Sequence, residues 1–597
     1  MATPVSTPSL GSQRSLSPPA TPGTSTPPSL YQNSTDPDTP WVVQKFGGTS
    51  VGKFAIKIAE DAVSGYLAGN KVAVVCSARS GSTKALGTTN LLLKAATEAL
   101  TPRESNSTPV TGISTPWSAA WAPTPPSFSP PLTPPRRSAS FGRSSAPFSI
   151  TPVQLCNTTV DLIRSEHLTA ARTHIRDQVL LKQLEAEIEK DCEGLRTFLF
   201  AAQVIDEISP RSKDSIIGTG ERMACKLIAA VLRDRGIDAE FVSLENVIPQ
   251  WDDIDVASDH SLGQDFYDRV ATIVGERVRQ CTPRVPVVTG FFGPVPGSLL
   301  RQVGRGYTDL LAALLAVGLE AAELQIWKEV DGIFTADPRK VPTARLIPSI
   351  TPDEAAELTY YGSEVVHPFT MEQVIRQNIP IRIKNVENAA GTGTLICPPG
   401  ADSPSSKELP TVPAVTAISN LSLNGTFNDK KRLPTAVTFK EGIVLINITS
   451  NRKSVSHGFL ARIFTMLDKS GITVDLISTS EVHVSMATEN RVGKKALDRL
   501  VNELEKLGTV TVAHDMAILS LVGRQMRNMV GIAGRMFSTL AEGKVNIEMI
   551  SQGASEINIS CVIDGRDAVK ALNLIHQSCL QIGPDIGSPR GTGPWLF

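Results

Sequence analysis

The segment Lys45-Phe46-Gly47-Gly48-Thr49-Ser50 is the part of this 597-residue chain best suited to hold a polyanion. It lies at the end of a short apolar run and the start of a helical pattern. Adjacent glycines let backbone N–H groups approach a ligand closely. Thr49 or Ser50 can cap the helix, whose N-terminus attracts anions, and Lys45 adds a mobile full charge. Together these make a phosphate cradle, although the same residues also fit a plain strand-to-helix turn with an exposed lysine. Gly47, Gly52 and Lys53 match the GxxxxGK spacing of a P-loop. Phe54 follows where a hydroxyl is needed for Mg²⁺, so that reading fails at its metal ligand.

Three further motifs carry chemical groups. In Gly304-Arg305-Gly306-Tyr307-Thr308-Asp309, Arg305 stands between glycines with the freedom to fork onto a carboxylate. Asp309 falls at the start of an apolar helix, where it also fits a cap. In Gly218-Thr219-Gly220-Glu221-Arg222, Glu221 is read as beginning a helix, either binding a cationic group or only favouring the helix dipole. The segment from Trp327 to Arg339 reads as a strand followed by Asp-Gly and Asp-Pro turns. Phe334 and Arg339 there fit a purine and a phosphate, or a surface turn with nothing bound.

These motifs need a scaffold, and the hydrophobic pattern supplies one. Residues 41–46, 72–76, 285–289 and 324–327 are short apolar strands. Residues 50–67, 91–100, 153–165 and 309–317 are helical, with apolar residues at 3–4 spacing. Buried strands alternating with helices predict an α/β fold with a mostly parallel sheet covered on both faces. After about residue 440 the chain repeats itself. An offset of 73 aligns Gly458 with Gly531, Arg462 with Arg535, Leu467 with Leu540, Ile477 with Ile550 and Ser478 with Ser551. Each copy reads as a small βαββαβ unit.

Proline marks the breaks. Residues 1–40 hold nine prolines and residues 101–152 hold twelve, half of the total of 42. Both stretches are otherwise rich in Ser, Thr, Ala and Gly and offer little to bury, so disorder is expected there. The second lies between helical segments and reads as a long insertion at 101–150 inside a domain. A weaker break at 397–413 marks the main boundary. The expected plan is a tail (1–40), a catalytic domain (41–397), a linker (398–413), a regulatory region (414–585) with copies at about 440–512 and 516–585, and a tail (586–597).

Composition excludes several classes. Net charge is −1 and apolar residues make up 41%. That balance argues against a surface built for bulk nucleic-acid or anionic-membrane binding. The longest clean apolar stretch, residues 310–319, is too short to span a bilayer. No two of the eight cysteines have CxxC spacing. Isolated reduced thiols and a cytoplasmic protein are expected, with no secretory or mitochondrial leader and no metal cluster.

In combination and order, KFGGTS, the GER segment, GRGYTD, VDGIFTADPR and YGSEVVHP resemble the aspartate kinases of the amino-acid kinase family, fungal type. The C-terminal repeat resembles the paired ACT domains, of ferredoxin-like fold, that these enzymes carry. The resemblance implies transfer of the ATP γ-phosphoryl group to the side-chain carboxylate of L-aspartate. That acceptor is already ionised at neutral pH, with a pKa of about 3.9, so no general base is required. Catalysis then rests on positioning and charge neutralisation. By this resemblance, Lys45, Asp309 and Arg305 are catalytic: Lys45 faces the phosphoryl group, Asp309 orients Lys45, and Arg305 grips the substrate carboxylate. Phe46, Gly47, Gly48, Lys328, Glu329, Phe334 and Arg339 belong to the nucleotide site. Thr49, Ser77, Thr89 and Glu221 belong to the aspartate site, with Glu221 on the substrate ammonium. Glu364 stands where many bacterial relatives carry a lysine. Mg²⁺ is implied, held mainly through ATP oxygens. The ACT pair implies feedback by an amino acid, threonine for the fungal type, with Ser456, Gly458, Phe459, Asp475, Thr479 and Ser480 as effector contacts. It also implies a homo-oligomer formed through the ACT domains. The competing readings are another amino-acid kinase or a catalytically inactive ACT-domain sensor.

Overall fold

The computed structural model describes residues 31–81, 86–100, 152–248, 262–293, 295, 298–362, 366–398, 433–451, 458–490, 493–524, 526–552 and 557–581. The side chains of 152–155, Arg305, Lys494 and Arg527 lie outside that description. So do residues 1–30 of the expected tail, the 101–150 insertion, linker residues 399–413, Ser456, Glu364 and the 586–597 tail.

The N-terminal part is built on one eight-stranded sheet. Its strands are β1 (Trp41–Phe46), β2 (Lys71–Cys76), β3 (Ala239–Val242), β4 (Val285–Thr289), β5 (Glu323–Lys328), β6 (Ser349–Ile350), β7 (Ile381–Asn385) and β8 (Thr394–Ile396). The order across the sheet is β3-β4-β2-β1-β5-β7-β8-β6. All pairings are parallel except β7 with β8. Side chains alternate between faces with a period of two. Val43, Ala73, Val75, Val288, Leu324 and Ile326 enter one buried cluster, and Phe46, Val72, Val74, Cys76, Val287 and Trp327 enter another. Helices cover both faces, as the apolar strands required.

The expected strands agree with the observed ones to within a residue at each end. Three helices differ from the sequence reading, and the one expected over 153–165 runs on to His174. The single helix expected over 50–67 is a chain of short pieces: Gly48–Lys53, Ala55–Lys57, a π-turn at Ile58–Val63, and Ser64–Leu67. Its apolar positions are buried, Leu67 only partly, and Phe54 interrupts the helical backbone while its N–H and carbonyl keep their bonds to Ser50 and Ile58. Glu221 does not begin a helix. It lies in the middle of Pro210–Asp234, which runs through both neighbouring glycines. Close packing explains those glycines: a Cβ at 218 would lie 2.6 Å from the Phe291 ring, and one at 220 would lie 2.9 Å from Leu92 and Thr88. Residues 31–40, expected as tail, are pinned to the sheet. Asn33 donates to the Val72 carbonyl and accepts from the Val72 N–H, and Tyr31 bridges to Ile237.

The C-terminal part is a second, antiparallel sheet. Its strands are β9 (Ala436–Ser450), β10 (Leu476–Thr479), β11 (His483–Glu489), β12 (Gly508–Val522), β13 (Met549–Ser551) and β14 (Asn558–Asp564), in the order β10-β11-β9-β12-β14-β13. The two copies are interlocked. Residues 443–450 of β9 pair with β11 and with the first half of β12, while residues 436–440 pair with 518–522. The strand that completes the second copy therefore precedes the first copy in the chain. Both copies start a helix after a glycine in the left-handed region, Gly458 at φ 74° and Gly531 at φ 87°.

Candidate active site

The carboxyl ends of β4, β2, β1 and β5 line up: Cys76 is level with Thr289 and with Phe46, and Phe46 with Trp327. In parallel sheets, ligands bind in the crevice at this edge. Lys45 is one residue from the end of β1. The period of two places it on the face shared with Val43, the face covered by the apolar helix Tyr307–Gly318. Asp309 lies in the first turn of that helix, and its Oδ1 is 2.7 Å from the Lys45 Nζ. Both groups are shielded from water, which strengthens the attraction relative to a surface pair.

Glu221 reaches the same corner from the opposite helix. Its carboxylate accepts from the Phe291 N–H at 2.7 Å and from the Thr308 hydroxyl at 2.6 Å, with the Tyr307 hydroxyl as a further donor. Burial pushes its pKa up to about 7; those three donors and the positive charge of Lys45 pull against that rise. Thr308 and Tyr307 thus tie Glu221 to the turn that carries Asp309. The sequence reading quoted both residues within the motif but gave neither a role.

The glycine turn is laced to the second loop. The Ser77 N–H donates to the Phe46 carbonyl at 3.1 Å, and the Ser80 N–H donates to the Gly48 carbonyl at 2.9 Å. Contact is so close that a Cβ on Gly48 would lie 2.4 Å from the Ala78 carbonyl oxygen, whereas one on Gly47 would meet nothing within 4 Å. Gly47 therefore faces open space. The first turn of Gly48–Lys53 has no intrahelical acceptors for its leading N–H groups. Neither Thr49 nor Ser50 caps this helix, because it already starts at Gly48, with Gly47 at the cap position and no side-chain cap bond. Ser50 instead donates to Glu329 at 2.8 Å, joining the glycine turn to the end of β5. Thr89 lies in the first turn of Thr88–Ala99, whose start is tied to this loop by the Thr88 N–H on the Arg79 carbonyl.

Lys328 ends β5. Phe334 is half-buried and bridges to Leu346. Arg339 is exposed and folds back onto Asp337 in its own turn, at 3.0 Å. Arg305 lies in the short turn Gly304–Gly306 that leads into Asp309. Among the effector candidates, Phe459 is a core residue of the first copy, packed with Ile463 and Leu467. Asp475 pairs with Lys440 at 2.8 Å. Thr479 and Ser480 are exposed at the far end of β10 from Asp475, with Ser480 closing a tight turn onto His483. Among the described residues there is no cluster of three or more His, Cys, Asp or Glu that could hold a metal ion. Nor is any described helix long and apolar enough to cross a membrane. All eight cysteines are free, and only Cys397 is not fully buried.

The fold and this corner define a small-molecule kinase of the α/β class, and comparison with known proteins agrees. The amino acid kinase family model matches residues 40–385, and the ACT domain model matches 446–504 and 519–579. The chain belongs to the amino acid kinase family. The aspartokinase of Schizosaccharomyces pombe is 49% identical over 570 residues, covering 94% of this chain and 98% of that one. The Saccharomyces cerevisiae aspartokinase is 46% identical, covering 90% and 93%. E. coli aspartokinase III in complex with aspartate and ADP matches with a TM-score of 0.60 at 26% identity, covering 90% of this chain and 99% of that one. Within the family the chain falls among the aspartate kinases, which phosphorylate a carboxyl acceptor.

Proposed function

We propose that Lys45, held by Asp309 beside the Gly47-Gly48 turn, is the charge that lets the β-carboxylate of L-aspartate attack the γ-phosphate of ATP. The supporting observation is the 2.7 Å ion pair at the carboxyl end of β1. Two anions must meet, so the enzyme's task is to neutralise and align them, not to move a proton. Asp309 fixes the direction of the Lys45 ammonium. Gly47, Gly48 and Phe46 present backbone to the phosphates, with Lys328, Glu329, Phe334 and Arg339 around the nucleotide. Arg305 takes the α-carboxylate of aspartate. Glu221 takes its ammonium, with Thr49, Ser77 and Thr89 completing the site. Binding that ammonium favours ionised Glu221 and draws it away from its internal donors. No preformed acidic cage exists among the described residues, so Mg²⁺ fits best as an ion carried by ATP oxygens. When bound, it neutralises phosphate charge.

The product, 4-phospho-L-aspartate, places the enzyme at the first step toward the aspartate-derived amino acids threonine and methionine. An amino acid, threonine in this reading, binds the first ACT copy near Gly458 and Asp475 and inhibits. The protein works in the cytoplasm as a homo-oligomer joined through its ACT domains. ATP-dependent hydroxamate formation tests the reaction. Activity with aspartate and not glutamate, suppressed by threonine, is expected; no activity with any amino acid would leave an ACT sensor instead.

A further inference from the structure

Lys440 stands where the two ACT copies and the kinase meet. It is the last residue of the 436–440 segment that completes the second copy, yet its side chain reaches into the first. Its Nζ lies 2.8 Å from Asp475 Oδ1 and 3.1 Å from Glu489 Oε2. All three side chains are largely shielded from solvent. Asp475 and Glu489 thus share the Lys440 ammonium. The second oxygen of Asp475, Oδ2, is buried with no hydrogen-bond partner among the described residues. A shielded carboxylate oxygen without a donor is costly, and a charged N–H donor satisfies it best.

We propose that Lys440 is an internal competitor for the ammonium of the amino-acid effector at Asp475, and that its displacement is the signal passed to the kinase. This rests on the reading of Asp475 as an effector contact. An α-ammonium brings a charged donor for the unpartnered Oδ2. Once it is there, Asp475 is flanked by two cations that repel each other across a short, poorly solvated distance. The hold on Lys440 weakens as the ligand binds, and by linkage Lys440 weakens the ligand equally.

The strand carrying Lys440 is bolted to the nucleotide side of the kinase. The Val437 N–H donates to the Thr335 carbonyl at 2.8 Å, and the Thr438 hydroxyl donates to the Tyr361 carbonyl at 3.0 Å. The Phe439 ring lies 4.0 Å below the Lys340 ammonium. Ala336 and Val341 are buried within the core of the second copy. A shift of residues 436–440 therefore acts on the segment that holds Phe334 and Arg339. The ligand class this site selects is an amino acid with a free α-ammonium.

Calorimetric titration of the full-length protein with threonine, and with N-acetylthreonine as the probe lacking the charge, tests this. Lys440→Met is expected to bind threonine about tenfold more tightly than the wild type, with weaker maximal inhibition and no gain for N-acetylthreonine. Lys440→Gln, which keeps a donor without the charge, is expected to show the same gain, so the result does not hang on how methionine packs. Lys440→Arg is expected to bind as the wild type does. Unchanged or weaker threonine binding in both neutral variants would overturn the competitor role while leaving the effector site in place. A wild type that binds neither threonine, lysine nor methionine would overturn the effector reading itself.

Discussion

Replacing Glu221 by glutamine reads the chemistry of the active-site corner through its proton linkage. Burial moves this carboxyl from its ordinary 4.5 to about 7, which costs the ionised form about 3 kcal/mol. An acid whose folded value is raised takes up a proton on folding between those two pH values. Its contribution to stability is therefore intact below about pH 4.5 and is lost as pH rises through about 7. Glutamine stays neutral throughout. Its carbonyl can accept from the Phe291 N–H and its amide can donate to the Thr308 hydroxyl, the two partners now at 2.7 and 2.6 Å. Urea denaturation at pH 5, 6, 7 and 8 should show the wild type losing stability relative to Glu221→Gln by up to about 3 kcal/mol as pH rises. Turnover gives a second reading. If the ionised carboxylate binds the substrate ammonium, the wild-type KM for aspartate falls as pH rises through about 7. The variant loses that dependence, and its KM at pH 8 rises roughly 30-fold or more, the low end for removing one member of a buried charge pair. Parallel stability curves for the two proteins would place the titration on another group. An unchanged KM would remove Glu221 from the substrate site.

Lys45→Ala should lower kcat by about 10²-fold or more, the scale for losing a transition-state charge partner, with near-normal turnover refuting its role. Gly48→Ala drives a Cβ to 2.4 Å from the Ala78 carbonyl oxygen. The two loops must part, and kcat/KM should drop about 10²-fold while circular dichroism stays native; an unaffected rate would show the lacing to be dispensable. Asp475→Ala should raise the threonine concentration for half-inhibition at least roughly tenfold, as expected for losing a charge-assisted bond, and an unchanged inhibition curve would move the effector pocket elsewhere. Trp327→Ala empties a fully buried position stacked on Phe46 and should destabilise by about 3–5 kcal/mol in urea denaturation; a smaller loss would mean that the sheet collapses around the gap.

Strands β4, β2, β1 and β5 were legible because they are buried on both faces and read as short apolar runs; β3 and β7, which interleave charged residues, and the short β6 and β8 were not expected. The turn between β1 and the next helix was legible because two consecutive glycines follow an apolar run. Position within helices was harder to read. Two glycines beside Glu221 signalled a helix boundary on propensity, yet they sit mid-helix because Phe291, Leu92 and Thr88 leave no room for a Cβ. Ser50 looked like a cap, but Glu329 claims its hydroxyl from 279 residues away. Residues 31–40 looked like tail because they are rich in polar residues and proline. Long-range bonds hold them to the sheet: Asn33 bonds both backbone groups of Val72, and Tyr31 bridges to Ile237. Each difference comes from a long-range partner that local pattern cannot contain.

The repeat carried a deeper ambiguity with consequences for control. An ungapped offset of 73 suggests two independent units in tandem, each able to answer a ligand alone. The strand pairing denies that independence, since residues 436–440 complete the sheet of the second unit while Lys440 closes a charge cluster in the first. On the kinase side, Glu354 accepts from the Thr435 hydroxyl at 2.6 Å and from the Arg524 N–H at 2.7 Å. One carboxylate thus grips both strands of the shared pair at one end, through the start of β9 and the loop just after β12. His576 of the second unit is hydrogen-bonded to Thr335, in the segment after β5. A ligand at the first unit cannot move the shared strand without loading these contacts, so coupling to the segment after β5 follows from the strand pairing. The same argument fixes where uncoupling should be sought: substitutions at Thr438 or Glu354, far from either ligand, should weaken inhibition more than they weaken effector binding.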